Sequence, residues 1–480
     1  MSMNHFLFIW SITSIIGSWT IRLIMLVVVL MRKRTRTAMG WLVVIFFMPW
    51  LGFFLYLLIG EYTLPRRRIE LYKRLQEQFR ALQRKYIENT NLVRQHFDPN
   101  LDTTMAITEK LTKMPILRGN EAEIITQTDE FIERLIADIE QATQTVHLMF
   151  YIFANDSTGK RVAEALIAAV VRGVTCRVLV DAVGSRDMIK TLGKHLTEQG
   201  VLCQTALKVN ILRFYMARMD MRNHRKIVVI DGIVAYTGSQ NIVDPGYGHR
   251  NLAWHDIMVR LTGPVVLELQ SVFVGDWYSE TGEILDGAGV FASPRLVGTI
   301  SIQTLPSGPS YPIENYQSSV VAATYAAKRE VTITTPYFVP DESFMQALRV
   351  ASMRGVRVDL IVPQRSDQRL VGAASRAYFD ELIESGVNVY FYTAGLLHTK
   401  SMIIDDSLAF VGTSNFDIRS FSLNFEVNLV FIGAPFIQRL KELHHHYRLL
   451  STHVSLEQWK SRPFLKKLGQ NVAKLMSPLL

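Results

Sequence analysis

Apolar residues crowd into two runs at the start of the chain and then recur in short bursts to its end. Residues 6–30 are apolar apart from Arg22, and residues 39–59 carry no charge. At about 1.5 Å per helical residue, runs of this length match the roughly 30 Å hydrocarbon core of a bilayer. They predict a transmembrane helical hairpin within residues 1–62, with spans at about 6–30 and 39–59. A cleaved signal peptide is the competing reading of the first run. The first five residues hold no Lys or Arg and a second run follows closely, which favours a retained span. Arg22 either snorkels or marks a tilted, shallow first span.

Residues 65–86 place Leu71, Leu75, Phe79 and Leu82 at helical spacing among arginines and lysines. Such a helix lies on anionic lipid or packs on the rest of the protein, so residues 63–120 read as a basic amphipathic linker. The later bursts are short and β-branched, as buried strands are, and they come in matched pairs. Residues 145–153 resemble residues 331–339, each an apolar strand ending in aromatics. Arg172-Gly173-Val174 and Arg354-Gly355-Val356 each open a strand after a helical stretch, at 160–172 and 341–354. Gln199-Gly200-Val201 and Ser385-Gly386-Val387 repeat a glycine stop after a helix. Strands alternating with such helices predict α/β units around a mainly parallel sheet. The fold class is therefore α/β, with two similar halves at residues 121–300 and 301–480. The second half ends in an amphipathic tail.

One matched pair carries chemistry. His224-Arg225-Lys226 is followed after four residues by Asp231, and His398-Thr399-Lys400 after four by Asp405. On a strand, alternate residues share a face, so each histidine is presented beside its lysine. Lysine is a compact charge suited to phosphate, and histidine attacks phosphorus or moves a proton near neutral pH. Two such pairs supply a nucleophile, an acid/base and neutralising charge at a phosphodiester, with no metal or other cofactor required. Each motif leads into a turn, Gly238-Ser239-Gln240-Asn241 and Gly412-Thr413-Ser414-Asn415. Asn241 and Asn415 are expected to bind substrate oxygens, with Ser239 and Thr413 as further hydroxyl donors. Asp256 and Glu426 are candidates to orient the histidine rings. Asp231 and Asp405 either belong to the catalytic set or hold the turn after the strand.

These motifs resemble the phospholipase D superfamily. The words Arg222-Asn223-His224-Arg225-Lys226, Thr335-Pro336-Tyr337-Phe338-Val339-Pro340-Asp341 and Arg419-Ser420-Phe421-Ser422-Leu423-Asn424-Phe425-Glu426 are similar to bacterial cardiolipin synthases with two N-terminal membrane segments. The resemblance implies two halves sharing one active site. It implies transfer of a phosphatidyl group from one phosphatidylglycerol to another through a phosphohistidine, giving cardiolipin and glycerol. By position it assigns His224 as nucleophile and His398 as acid/base, with Lys226 and Lys400 on phosphate. A membrane-anchored hydrolase, or a transferase using another donor lipid, is the alternative, and the product distinguishes them. The superfamily also includes enzymes acting on nucleic acid, which the membrane runs argue against here. A non-catalytic scaffold is disfavoured because both His-Lys-Asp sets are intact.

Composition agrees with a membrane protein that handles anionic lipid. Apolar residues make up 49% of the chain, its net charge is +9, and its mean hydropathy is +0.14. The expected partners are membrane phospholipids, phosphatidylglycerol and cardiolipin among them, and the bilayer itself. Basic residues lie on both sides of the second run, at 32–36 and 66–80, with a slight excess after it. That places the catalytic part on the cytoplasmic side of a bacterial inner membrane. Cys176 and Cys203 read as buried thiols, and a disulfide between them stays open. His444-His445-His446 reads as a helix surface, since consecutive helical residues point about 100° apart. His147 and His255 read as packed histidines, with pocket and supporting roles as their respective alternatives. Tyr151, Tyr337 and Phe338 are candidates to line the pocket.

Overall fold

The structure, a computed structural model, describes residues 3–32, 35–60, 70, 92–93, 99–208, 220–247, 252–287, 289–311 and 313–477. Residues 71–91, which hold the amphipathic part of the expected linker, lie outside the described residues. The chain divides into two compact units. One takes in the N-terminal helices, and the other nearly everything from residue 67 on.

In the first unit, α1 (Met3–Arg32) contains a stretch, Leu7–Met31, long and apolar enough to cross a bilayer. The second apolar run is not the single span expected. It is two helices, α2 (Thr35–Phe47) and α3 (Pro49–Ile59), separated at Met48. Pro49 has no N–H to continue the α2 ladder, and its ring opposes a helical residue before it; Met48 adopts φ −132° and ψ 70°. The two helices fold back on each other. The Trp41 and Tyr56 rings meet edge to face at 5.3 Å. Gly52 lies so close to Ile45 that a Cβ there would meet the Ile45 backbone at 2.8 Å. Trp50, near the tip, abuts Gly17, about halfway along α1. Arg22 donates from Nε to the Phe46 carbonyl at 3.0 Å and lies over the Trp19 and Phe46 rings. It is therefore tied to the last turn of α2. Met25, Val29, Ala38, Ile45 and Tyr56 form the small core between the three helices.

The second unit is built on one 15-stranded sheet. The first repeat supplies β1 (Leu117–Ile125), β2 (Thr145–Phe150), β3 (Thr175–Asp181), β4 (Leu202–Ala206), β5 (Ile227–Ile230), β6 (Val234–Gly238) and β7 (Met258–Thr262). The second supplies β8 (Ile300–Ser307), β9 (Glu330–Thr334), β10 (Arg357–Pro363), β11 (Asn388–Tyr392), β12 (Ser401–Ile404), β13 (Leu408–Gly412) and β14 (Glu426–Ile432), and β15 (Ser451–His453) adds an edge. The order across the sheet is β15-β11-β10-β9-β12-β13-β14-β8-β1-β7-β6-β5-β2-β3-β4. Apart from β15, it reads the same from either end once the repeats are exchanged, with antiparallel β1 and β8 at the centre. That is an approximate two-fold.

Within each repeat only β2-β3-β4 and β9-β10-β11 are parallel, and the other neighbours run antiparallel. The expected mainly parallel sheet is therefore a mixed one. Short turns cause this: Ile230 and Val234 flank Asp231-Gly232-Ile233, too short for a parallel crossover.

Helices cover the sheet: α4 (Pro99–Thr112), α5 (Thr128–Glu140), α6 (Ser157–Val171), α7 (Val265–Thr281), α8 (Asn315–Ala326), α9 (Glu342–Met353), α10 (Arg369–Glu384), α11 (Ala434–Leu449) and α12 (Phe464–Leu475). α6 and α9 occupy matched places, capped by Asp156 and Asp341, whose carboxylates accept the first-turn N–H groups. α4 falls in the expected linker but packs as part of the second repeat. Thr108 bonds Ser319 of α8 at 2.9 Å, and Met105 joins the core around β9 and β10. His444 departs from the expected helix surface. Only His445 and His446 face outward, while His444 is buried and its Nε2 meets Ser401 Oγ at 2.7 Å. Cys176 and Cys203 are separate thiols.

Candidate active site

Just before β5 and β12, each repeat reaches across to the other. The His224 N–H donates to the Phe425 carbonyl at 2.9 Å, and the Phe425 N–H to the Arg222 carbonyl at 2.9 Å. The matching contact pairs Leu396–Leu397 with Trp254–His255 in parallel. There the N–H groups of His398 and Thr399 both reach the His255 carbonyl, at 2.8 and 3.0 Å. One residue further along each borrowed segment stands an acid.

The acids brace the histidines of the opposite repeat. His224 Nδ1 lies 2.9 Å from Glu426 Oε2, and His398 Nδ1 lies 2.6 Å from Asp256 Oδ1. Both acids were candidates for this role, but the exchange between repeats depends on contacts made in the folded chain. A ring that donates Nδ1–H to a carboxylate leaves Nε2 with a free lone pair. The hydroxyls of the two turns serve the same pairs. Thr413 donates to Glu426 Oε2 at 2.6 Å and Ser239 to Asp256 Oδ1 at 2.5 Å. Their expected place on substrate is corrected accordingly: each hydroxyl holds a carboxylate. Ser420 adds a second donor to Glu426 at 3.1 Å.

Each lysine ammonium donates back to the carbonyl of its own histidine, Lys226 to His224 at 2.9 Å and Lys400 to His398 at 2.7 Å. One of three donors is thereby used on each. Burial pushes Lys226 down to about 7 and Lys400 to about 8, against the pull of Glu426 and Asp256, and the Lys400 charge lowers Lys226 further. Burial likewise lowers both histidines, His398 to about 4, opposed by their carboxylates. Burial works to raise the carboxyls, but the facing rings, lysines and hydroxyls outweigh it; Asp256 falls to about 2 and Glu426 also lies low. Two histidines, two lysines and two carboxylates thus share one desolvated space. A phosphate entering it would meet both lysines in an environment that strengthens the attraction.

Asn241 and Asn415 are buried beside this set. Asn241 Oδ1 accepts from the Ile152 N–H at 3.1 Å, while Asn415 Oδ1 has no partner among the described residues. Asp231 and Asp405 do not join the site. They stand at the far ends of β5 and β12 with φ near +50°. Asp231 accepts three backbone N–H groups, from Thr143, Gln144 and Thr145, and Asp405 accepts those of Lys328, Arg329 and Glu330. These bonds support the reading in which the two aspartates hold the turn after the strand.

Aromatic rings complete the walls. Tyr151 packs on His224 with centroids 4.9 Å apart and lies under Lys226, as a pocket residue would. Trp254 packs on His398 at 4.7 Å, and its indole N–H has no partner among the described residues. Sequence reasoning missed Trp254, whose only signal was its place two residues before Asp256. Tyr337 donates to Asp367 at 2.7 Å, while Phe338 is core. His147 stacks on Phe273 in the interior, and His255 contributes its backbone carbonyl. Arg225 was overlooked. It is buried and bonds Asp276 at 2.7 Å, the Glu426 carbonyl at 3.0 Å and the Ser307 carbonyl at 3.1 Å, fastening the two repeats beneath the site.

Comparison with known proteins agrees with this geometry. The family described as "Cardiolipin synthase, PLD-like domain" matches residues 135–277 and 321–447, and one described as "Phospholipase_D-nuclease N-terminal" matches residues 6–61. The chain is 36% identical to cardiolipin synthase A of Proteus mirabilis, over 94% of this chain and 95% of that one. It is also 36% identical to cardiolipin synthase A of Yersinia pseudotuberculosis over the full length of both. Among solved structures, phosphatidylserine synthase from Haemophilus influenzae shares the fold, with a TM-score of 0.59 and 14% identity over 78% of this chain and 98% of that chain.

Proposed function

The chain belongs to the cardiolipin synthase family of phospholipase D-like proteins, and on that footing we propose that it joins two phosphatidylglycerols into cardiolipin. His224 Nε2 attacks the phosphorus of the donor. The bond from phosphorus to the headgroup glycerol breaks, and His398 supplies the proton with which glycerol leaves. The phosphatidyl group rests on His224. His398 then takes the proton from the terminal hydroxyl of a second phosphatidylglycerol, whose oxygen displaces His224 and completes cardiolipin. Lys226 and Lys400 neutralise the non-bridging oxygens, and the anionic phosphate in turn raises His398 enough to carry its proton. The exchanged bracing carries this reading: each histidine has Nδ1 fixed on a carboxylate from the other repeat, so both Nε2 atoms are free to act. The membrane is proposed to be the bacterial inner membrane, with the catalytic part on the cytoplasmic face that the excess of basic residues after residue 60 favours.

The test is a product assay with phosphatidylglycerol as sole lipid, read by mass. Cardiolipin with an equal amount of glycerol is expected. Phosphatidic acid without cardiolipin would make the protein a hydrolase, and no product would point to another donor lipid.

A further inference from the structure

The last helix is mounted inside out. Successive residues of α12 turn by about 100°, which puts Phe464, Leu465, Leu468, Val472 and Leu475 on one face. An amphipathic helix ordinarily buries such a face. Here the opposite side docks: Gln470 and Ala473 are buried against α10. Lys474 donates to Glu381 at 2.9 Å and lies over the Tyr378 ring, and Tyr378 bonds Ser477 at 3.0 Å. Lys467 donates to the Lys460 carbonyl at 2.7 Å, and Arg462 ties Gln470 and Asp380. The polar side is thus bonded down, while Phe464, Leu465 and Leu475 stand 74%, 78% and 79% exposed. An apolar face left outward on a helix fastened by its other side marks a surface for a partner.

We propose that this face is a bilayer-docking surface that inserts among the acyl chains at an anionic lipid interface. Charge selects the occupant. α12 contains no acidic residue; Lys474 is already paired with Glu381, but Lys466 stands exposed and Lys467 meets a carbonyl and no carboxylate, and these two charges complement anionic headgroups at the depth of an interfacial helix. The same charge opposes the other occupants. A second copy would bring its own lysines face to face with these. The arginine- and lysine-rich segment at residues 65–86 of this chain would do the same. A chain anchored by α1 also keeps a bilayer permanently within reach, so a weak surface contact becomes effectively intramolecular. The surface does not depend on which lipid the active site consumes.

The test uses the full chain in vesicles. Leu468→Cys, in a Cys176→Ala/Cys203→Ser background shown to fold, is labelled with an environment-sensitive dye. In phosphatidylglycerol-containing vesicles the emission should shift to the blue and be at least halved by lipids spin-labelled near the acyl carbonyl. The quenching should weaken in purely zwitterionic vesicles. Water-like, unquenched emission would overturn the proposal. So would emission that is shielded yet unquenched by lipid, or a disulfide between Leu468→Cys copies, since either puts protein on this face. A second variant, Leu465→Glu/Leu475→Glu with the dye at Val472→Cys, should lose the quenching while melting at an unchanged temperature. Retained quenching there would also count against the proposal.

Discussion

The two histidines occupy the same place in two copies of one fold, yet their surroundings differ. His224 is held by the longer arm of Glu426, which is buried completely and accepts from Thr413 and Ser420 as well. His398 is held by the shorter Asp256, closer at 2.6 Å, with Ser239 as its further donor. A phenol lies against the first ring and an indole against the second. The backbone symmetry makes two equivalent stations, and the side chains then make them unequal. A duplicated fold can in this way divide nucleophile from acid/base without altering a strand.

Replacing the rings should give the largest effects. His224→Ala and His398→Ala should each lower turnover by at least about 10³-fold. The comparison sharpens on quenching with donor radiolabelled in its phosphatidyl group: a phosphatidyl adduct should form on His398→Ala protein, slowly for want of the acid that releases glycerol, and be absent from His224→Ala. An adduct on the His224→Ala protein would reverse the roles.

The carboxylates come next. Glu426→Gln and Asp256→Asn keep shape but lose the charge that fixes Nδ1–H, and each should cost about 10²–10⁴-fold in kcat. If His398 is the proton carrier, Asp256→Asn should also move the acid limb of the pH profile and Glu426→Gln should not.

The lysines give a smaller, titratable effect. Burial holds Lys226 at about 7 and Lys400 at about 8 in the free protein. As pH rises through that window they lose the protons that attract phosphate, so kcat/KM should fall on the alkaline side. With lipid bound, the phosphate raises both lysines, and kcat should hold its plateau to higher pH. Coincident alkaline limbs for kcat and kcat/KM would break this assignment.

The smallest effect on catalysis belongs to the aspartates beyond the strands. Asp231→Ala and Asp405→Ala each remove an acceptor of three N–H groups at a positive φ. They should cost about 1–3 kcal/mol of stability by thermal or denaturant unfolding. Protein that remains folded should keep a near-normal kcat.

The parts legible in the sequence are those that repeat locally. The His-x-Lys strands, the paired glycine stops and the acids after the turns all show as words in the chain. What was illegible depends on contacts between distant residues. That Glu426 braces His224 follows from the pairing of Asn223 with Phe425. That Ser239 bonds Asp256 follows from the pairing of β6 with β7. His444 looked exposed because its neighbours are, and only the packing of α11 on β12 turns it inward. Pro49 is the exception. It was plain in the sequence and is sufficient to end a helix, but an uninterrupted apolar count passed over it.

The break at Pro49 changes the parity of the membrane path. Two complete spans would return the chain to the face where it began. If α2 and α3 enter only halfway and turn back at Met48, they add no crossing, and among the described residues α1 alone would make the number odd. On that path the ends at Arg32 and Gly60 would share one face, and Met3 would lie on the other. The basic residues that follow those ends in sequence, at 33–36 and 66–80, would then favour one orientation instead of opposing each other. A cysteine added ahead of Met3 should react with an impermeant reagent from outside the inner membrane, while one placed at Gly60 should be protected.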